Sequence, residues 1–334
     1  MLLVQICVVS GSVFRSPRNR YSLKTDSFPV ERRAICYKRV NCIADTPKQS
    51  LLAGISPKAS PVSTATYKEF GNPVPQPPRT SARTLQDIKQ ACLVADPDDV
   101  ESFLKIIKCY HLNGVHRPFW RNWPLSDPSI LFMPEVLHIF HCMFWDHDLQ
   151  WWINVLGPGE IDYRFSLIQT AIGYHLFDEG VSNLKQVTGH DHHSAQRYII
   201  VVVAGGVPPK FLAAICSLLD FRYLAQMLHF DHDSLAKVEA SLASFHDNKS
   251  AILTAGGRQG SRGPLDHWEI LKLELLQHVS RSICASGAGK WSFLMSPYFE
   301  NCATPYVAVR PRLCHLCITI NICGGKNTSD LLLQ

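Results

Sequence analysis

The densest group of ionisable side chains lies between positions 135 and 148: Glu135, His138, His141, Asp146, His147 and Asp148. On an α-helix Glu135, His138 and His141 stand three apart and share a face. A carboxylate and imidazoles on one face can hold a divalent metal. The same residues also suit a buried helix whose histidines bond to backbone or to one another. A second group, His190-Asp191-His192-His193, opens a helix, where Asp and His tips are usually solvated. The loop His116-Arg117-Pro118-Phe119-Trp120-Arg121-Asn122-Trp123-Pro124 mixes aromatics with two arginines. Its rings, Trp120 among them, can stack on bases beside Arg117 and Arg121, or they can anchor the loop onto the core. Near the C-terminal end, Cys314-His315-Leu316-Cys317 has the C-x-x-C spacing of half a zinc site, but Cys302 and Cys323 form no second knuckle. Walker loops, a G-x-G-x-x-G turn, H-E-x-x-H and a G-x-S-x-G elbow are absent, so nucleotide-cofactor and common hydrolase chemistry has no support.

These residues need elements to hold them. Leu85, Ile88, Ala91 and Cys92 repeat at helical spacing until Pro97 breaks the run. Asp98-Asp99 then offer a cap for an amphipathic helix carrying Val100, Phe103, Leu104, Ile106 and Ile107. From Pro134 to Gly157 the apolar positions run almost all round, which predicts a buried helix. Further helices are expected over 178–188, 192–205, 209–228, 231–254 and 268–285, with Pro208-Pro209 separating the second from the third and Asp231 or Asp233 capping the fourth. The β-branched run Ile199–Val203 also suits a strand. The expected fold is therefore mainly α: a helical domain over 85–291, between a basic, Pro-rich and mostly irregular arm (1–84) and an irregular Cys-rich tail (292–334). Val307-Ala308-Val309 and Ile318-Thr319-Ile320 are candidate short strands within that tail.

Composition narrows the class. The chain has 334 residues, 46% of them hydrophobic and 18% charged, enough apolar mass for a sizeable core and too much for wholesale disorder. Its net charge of +5 is uneven, because residues 1–90 carry 14 basic and 5 acidic side chains. Such an arm is compatible with nucleic acid and equally with a solvated tail. The 12 cysteines are mostly scattered singly among apolar neighbours, where a reduced thiol packs as a small hydrophobe. The opening Met-Leu-Leu-Val-Gln-Ile-Cys-Val-Val lacks a basic n-region, and Gly205–Lys210 interrupts the apolar stretch 199–219. The expectation is an intracellular protein of nucleus or cytoplasm, neither secreted nor membrane-spanning.

Seven segments carry a resemblance: SPVSTATYKEFGNP (60–73), LNGVHRPFWRNWPL (112–125), MPEVLHIFHCMFWDHDLQWW (133–152), EIDYRFSLIQ (160–169), GVSNLKQVTGHDHHSAQRYI (180–199), LLDFRYLAQ (218–226) and KLELLQHV (272–279). Together they resemble Plavaka-type transposases, fungal members of the Kyakuja–Dileera–Zisupton group. The resemblance implies an RNase H-like DDE enzyme with a large helical insertion. It also implies acidic residues holding Mg²⁺ for attack of a hydroxyl on a DNA phosphate. Glu135 matches the position of one such carboxylate, with His138 beside it as a candidate metal ligand, and Asp146-His147 match a later Asp-His pair. The first catalytic aspartate has no counterpart in 1–59. After Trp291 the sequence reads Ser292-Phe293-Leu294-Met295-Ser296-Pro297-Tyr298-Phe299-Glu300, where the family continues with a block bearing its last glutamate. The expectation is a transposon-derived fragment, truncated or frameshifted, that is catalytically inactive and binds no Mg²⁺. DNA is its expected partner, with Arg117, Arg121 and Trp120 as contacts. The alternative is a non-catalytic DNA-binding or helical scaffold protein; no small-molecule cofactor is implied.

Overall fold

The structure is a computed structural model that describes residues 5–9, 39–43 and 45–286, apart from 124–126, 133, 135, 136, 170, 171, 173, 185, 186 and 228. Strand β1 (Gln5–Val9) pairs antiparallel with β2 (Arg39–Ile43), in the register Gln5↔Ile43 to Val9↔Arg39. Helix α1 (Thr46–Ala53) follows, capped by Asp45, whose carboxylate accepts from the Lys48 amide at 2.8 Å. Next come α2 (Ser81–Val94), α3 (Val100–Ile107) and the single turn α4 (Pro128–Leu131). Two π-helical segments, Leu137–His141 and Phe144–Leu149, lead into α5 (Gln150–Leu156) and α6 (Pro158–Ser166). Helices α7 (Gly189–Val203), α8 (Pro209–Ala225), α9 (His232–Asn248) and α10 (Ser250–Thr254) form the body. A two-residue ladder of β3 (Gln259–Gly260) and β4 (Gly263–Pro264) precedes α11 (Leu271–Leu276) and α12 (Val279–Ser286). The protein is mainly helical, as its sequence patterning predicts.

The cap expected near Asp98-Asp99 is Asp99, which accepts from the Ser102 amide at 3.3 Å, and the cap of α9 is Asp231, which accepts from Ser234 at 2.8 Å. Ile199–Val203 is helical rather than extended. Thr188 and Asp191 form a reciprocal capping box that starts α7 well upstream of Ile199, and the helix runs through the β-branched stretch. The helix expected over 178–188 does not form at its described residues. Gly180 sits at φ +84°, and Asp162 takes the amides of Val181 and Ser182 at 2.7 and 2.8 Å, together with the Ser182 hydroxyl. A carboxylate from α6 thus supplies the acceptors that helical carbonyls would have offered. A Cβ at Gly180 would lie 2.3 Å from that carboxyl group, so only glycine fits there. The segments 307–309, 314–317 and 318–320, with Cys302 and Cys323, lie outside the described residues. Cys92, Cys109 and Cys284 are free thiols, as expected.

The core runs through most of the described chain. Trp152 packs on Phe211 with ring centroids 4.6 Å apart, Phe140 on Phe221 at 5.8 Å, and Trp151 edge-on to Trp268 at 5.3 Å. Residues of the expected irregular arm also enter it: Ala53, Ile55, Ala59 and Val62 are all buried. Short bridges, Ile55 to Leu112 and Ser63 to Pro78, pair backbone in this segment. Glu274 on α11 fastens it from the far end of the sequence. Its carboxylate accepts the Ser60 hydroxyl at 2.6 Å and the Ser63 hydroxyl at 2.5 Å, while the His278 ring lies 2.6 Å from it. Glu274→Gln keeps the shape but removes the charge and turns one acceptor into a donor facing a hydroxyl. The expected loss is about 2 kcal/mol, read as a lower urea midpoint.

Candidate functional site

The sequence separates two histidine groups by some fifty residues, and the fold brings them together. The π-helical segments Leu137–His141 and Phe144–Leu149 face the first turns of α7. The backbone over Leu137–His141 is π-helical, so the α-helical backbone on which the expected alignment of His138 and His141 rests does not hold there. Both His141 and Asp148 are buried, at 2% and 0% exposure. The Gln196 side-chain nitrogen lies 3.0 Å from His141 Nδ1, and the His192 ring stacks on Trp145 at 5.1 Å. The solvated position expected of His192 does not hold either, since that ring is buried. The Thr188–Asp191 capping box fixes the entry angle of α7, which turns the next residue inward.

Burial controls the charge states of this seam. It pushes His141 down to about 3, with His193, His192 and Arg222 repelling a proton there as well. His193 is pushed down to about 4 by burial and by Arg197 and His190. His147, stacked on Trp151, is likewise pushed to about 4 by burial, followed by Lys272. His192 is lowered by burial, against a hydrogen bond to the His141 backbone. These imidazoles are neutral near pH 7. Beneath them Asp148 and Arg222 form an ion pair with both side chains at 0% exposure. Burial raises the Asp148 carboxyl, and the Arg222 guanidinium pulls it back. Asp146 points the other way and pairs with Lys272 at 2.8 Å.

The residues expected to carry catalysis are only partly placed. Glu135 lies outside the described residues, as does the side chain of His138. Asp146 is half exposed and engaged by an ammonium group, and Asp148 by a guanidinium. Among the described residues no three His, Cys, Asp or Glu side chains are grouped to hold a metal ion. An Mg²⁺ pair needs several hard oxygen donors converging on one point. The described donors do not fit it, because each nearby carboxylate already has its own cation. The two two-stranded ladders are the only sheets among the described residues, so the sheet of an RNase H-like catalytic fold is not among them.

The loop over 112–123 is built to be rigid. Leu112 is buried and bridges Ile55, and the Asn113 side chain donates to the Leu51 carbonyl at 3.2 Å while accepting from the Val115 amide at 3.1 Å. Trp120 is fully buried, and its indole N–H donates to the Leu52 carbonyl at 2.9 Å. That corrects the reading of Trp120 as a base-stacking residue: its faces are spent on the core, and the anchoring role prevails. Arg117 and Arg121 are exposed, as DNA contacts require, and Arg121 also bonds the Pro118 carbonyl at 3.3 Å. The rings that reach solvent are Phe119, 42% exposed, and Trp123, 41% exposed, edge-on to one another at 5.3 Å. Buried and exposed positions alternate around the Pro118 turn, and that alternation divides the aromatics between core and solvent.

The block that joins this loop to the π-helical segments falls within a stretch similar to a transposase family. Specifically, residues 25–152 match the family model of the Plavaka transposase, rather less than half of the chain. The match takes in the 112–123 loop, Glu135 and Asp146, and it begins at residue 25, upstream of the first resembling segment. The resembling segments from 160 onward lie beyond it. No curated protein and no solved structure matches the chain. No helix among the described residues is long and apolar enough to cross a membrane.

Proposed function

We propose that the chain is a transposon-derived helical protein that contacts DNA through its 112–123 loop and does not itself cut strands. The observation that carries the DNA reading is the pair Arg117 and Arg121, exposed on a loop that Trp120 and Asn113 fix to the core within the family-matched span. Arginines held in place lose less freedom on binding phosphate than arginines on a loose strand. The basic excess of residues 1–90 adds an attractive field of the right sign. The inactive reading draws support from the ion pairs of Asp146 and Asp148, and from the missing glutamate block after Trp291. The Cys-rich 292–334 stretch stands as a separate tail in this reading, and a nuclear or cytoplasmic site suits it.

Two assays on the full chain test it. Incubation with Mg²⁺ and supercoiled or linear DNA is expected to leave every strand intact; robust cleavage abolished by Glu135→Gln would overturn the inactive reading. Duplex binding titrated at two salt concentrations is expected to weaken steeply as salt rises, and each of Arg117→Ala and Arg121→Ala to lower the log–log salt slope by about 1. An inert scaffold would bind no DNA at either concentration.

A further inference from the structure

We propose that the groove between α2 and the 112–123 loop takes an unpaired nucleotide, with Phe119 and Trp123 as the stacking platform for its neighbours, so that the loop engages single-stranded rather than duplex DNA. The inference rests on the loop being the DNA contact. The groove is open, about 480 Å³ in volume, and within the usual range for small-ligand clefts. Its lining has three chemical parts. Leu85 and Ile88, from the inner face of α2, offer an apolar wall that suits a base plane. Lys89 and Arg117 are exposed at the rim and suit a phosphate. Asp96 and Asp98 also line it.

The apolar wall and the two aspartates together favour a single strand over a duplex. A duplex presents its phosphates outward, and two carboxylates in the groove repel them. An unpaired base instead offers its plane to the apolar wall and, in cytosine, adenine or guanine, both exocyclic amino hydrogens to a carboxylate; in a duplex one of those hydrogens is taken up in pairing and the base plane is enclosed in the stack. Asp96 is held in position, since its Oδ1 accepts from the Asp98 amide at 3.0 Å. Two residues along the same loop from Arg117, the exposed ring of Phe119 and its edge-on partner Trp123 provide faces for adjacent bases. Apolar wall, cationic rim, one fixed carboxylate with a second beside it, and exposed rings together match a splayed nucleotide and mismatch a phosphate ridge.

The test measures binding of the full chain to a fluorescent single-stranded mixed-sequence oligonucleotide and to its duplex, by anisotropy at matched low salt. The single strand is expected to bind at least about tenfold tighter. Phe119→Ala and Trp123→Ala are each expected to weaken single-strand binding by about fivefold or more, and to leave duplex binding within about twofold. Phe119→Tyr and Trp123→Phe keep a ring and are expected to restore it, which separates stacking from folding. An oligo-dC probe is expected to outbind oligo-dT, and Asp98→Asn to narrow that gap. Equal affinity for single strand and duplex, with the salt slope intact, would overturn this inference and leave the DNA-contact reading standing. Loss of both would overturn the two together.

Discussion

Arg222→Ala is expected to destabilise the protein by about 3–5 kcal/mol, the usual consequence of removing one partner of a buried ion pair. Asp148 then stays at 0% exposure with no counter-charge, deep against the π-helical segment. The guanidinium also lies 5.8 Å from the Phe144 ring centroid, so its removal leaves space in a packed core as well. The pair itself is a different matter. Two charges taken from water recover little when brought together, and Asp148 Oδ1 with Arg222 Nε and Nη2 have no further hydrogen-bond partner. Asp148→Leu combined with Arg222→Met is therefore expected to regain most of the loss, and to match or exceed the unmodified protein. Chemical denaturation of the three chains checks this. A single variant as stable as the parent would mean that the pair carries no structural weight.

Acidification is expected to unfold the protein before its surface carboxylates titrate. His141, His193 and His147 have pKa values pushed down to about 3, 4 and 4, from an ordinary value near 6.5. A depressed histidine binds its proton more readily when the chain is unfolded. Its contribution is thus complete above about pH 6.5 and lost as pH falls through that value toward 4. The three depressions act in the same direction, so together they weaken the folded chain as pH falls. Asp148 shifts in the opposite sense, since its raised carboxyl favours the proton in the folded chain. The expected net result is a urea midpoint that falls steadily between about pH 7 and 5. His193→Asn, which cannot titrate, is expected to flatten part of that slope. A midpoint unchanged over this range would show that burial of the imidazoles does not govern stability.

The parts of this fold that are legible in the sequence are those with strong punctuation. Pro208-Pro209 and Asp231 mark the limits of α8 and α9, and a run of apolar residues on most sides of the 134–157 stretch announces its burial. What periodicity cannot show is the π-helical register there, because the extra residue per turn leaves the apolar count unchanged and alters only which polar groups meet. The lost helix over 178–188 is another tertiary effect, since Asp162 lies well upstream in the chain and replaces its hydrogen bonds. In the candidate site, the exposed arginines and the aromatic character of the loop are readable, while the choice between Trp120 and Phe119 is not. Neither Arg222 nor Glu274 belongs to the clusters that sequence patterning picks out. A signal exists for Arg222 all the same: a lone arginine within Leu218-Leu219-Asp220-Phe221-Arg222-Tyr223-Leu224, on a buried helix, has to meet a carboxylate.

Glu274 grips Ser60 and Ser63 across more than two hundred positions of sequence. During synthesis the segment around Ala53, Ile55 and Val62 leaves the ribosome long before its fastener does. Its apolar side chains must wait in the nascent chain until α11 has emerged, so early release short of residue 274 yields a product that cannot close. Such products are natural clients for chaperones and proteases, and the intact chain depends on translation that carries through α11.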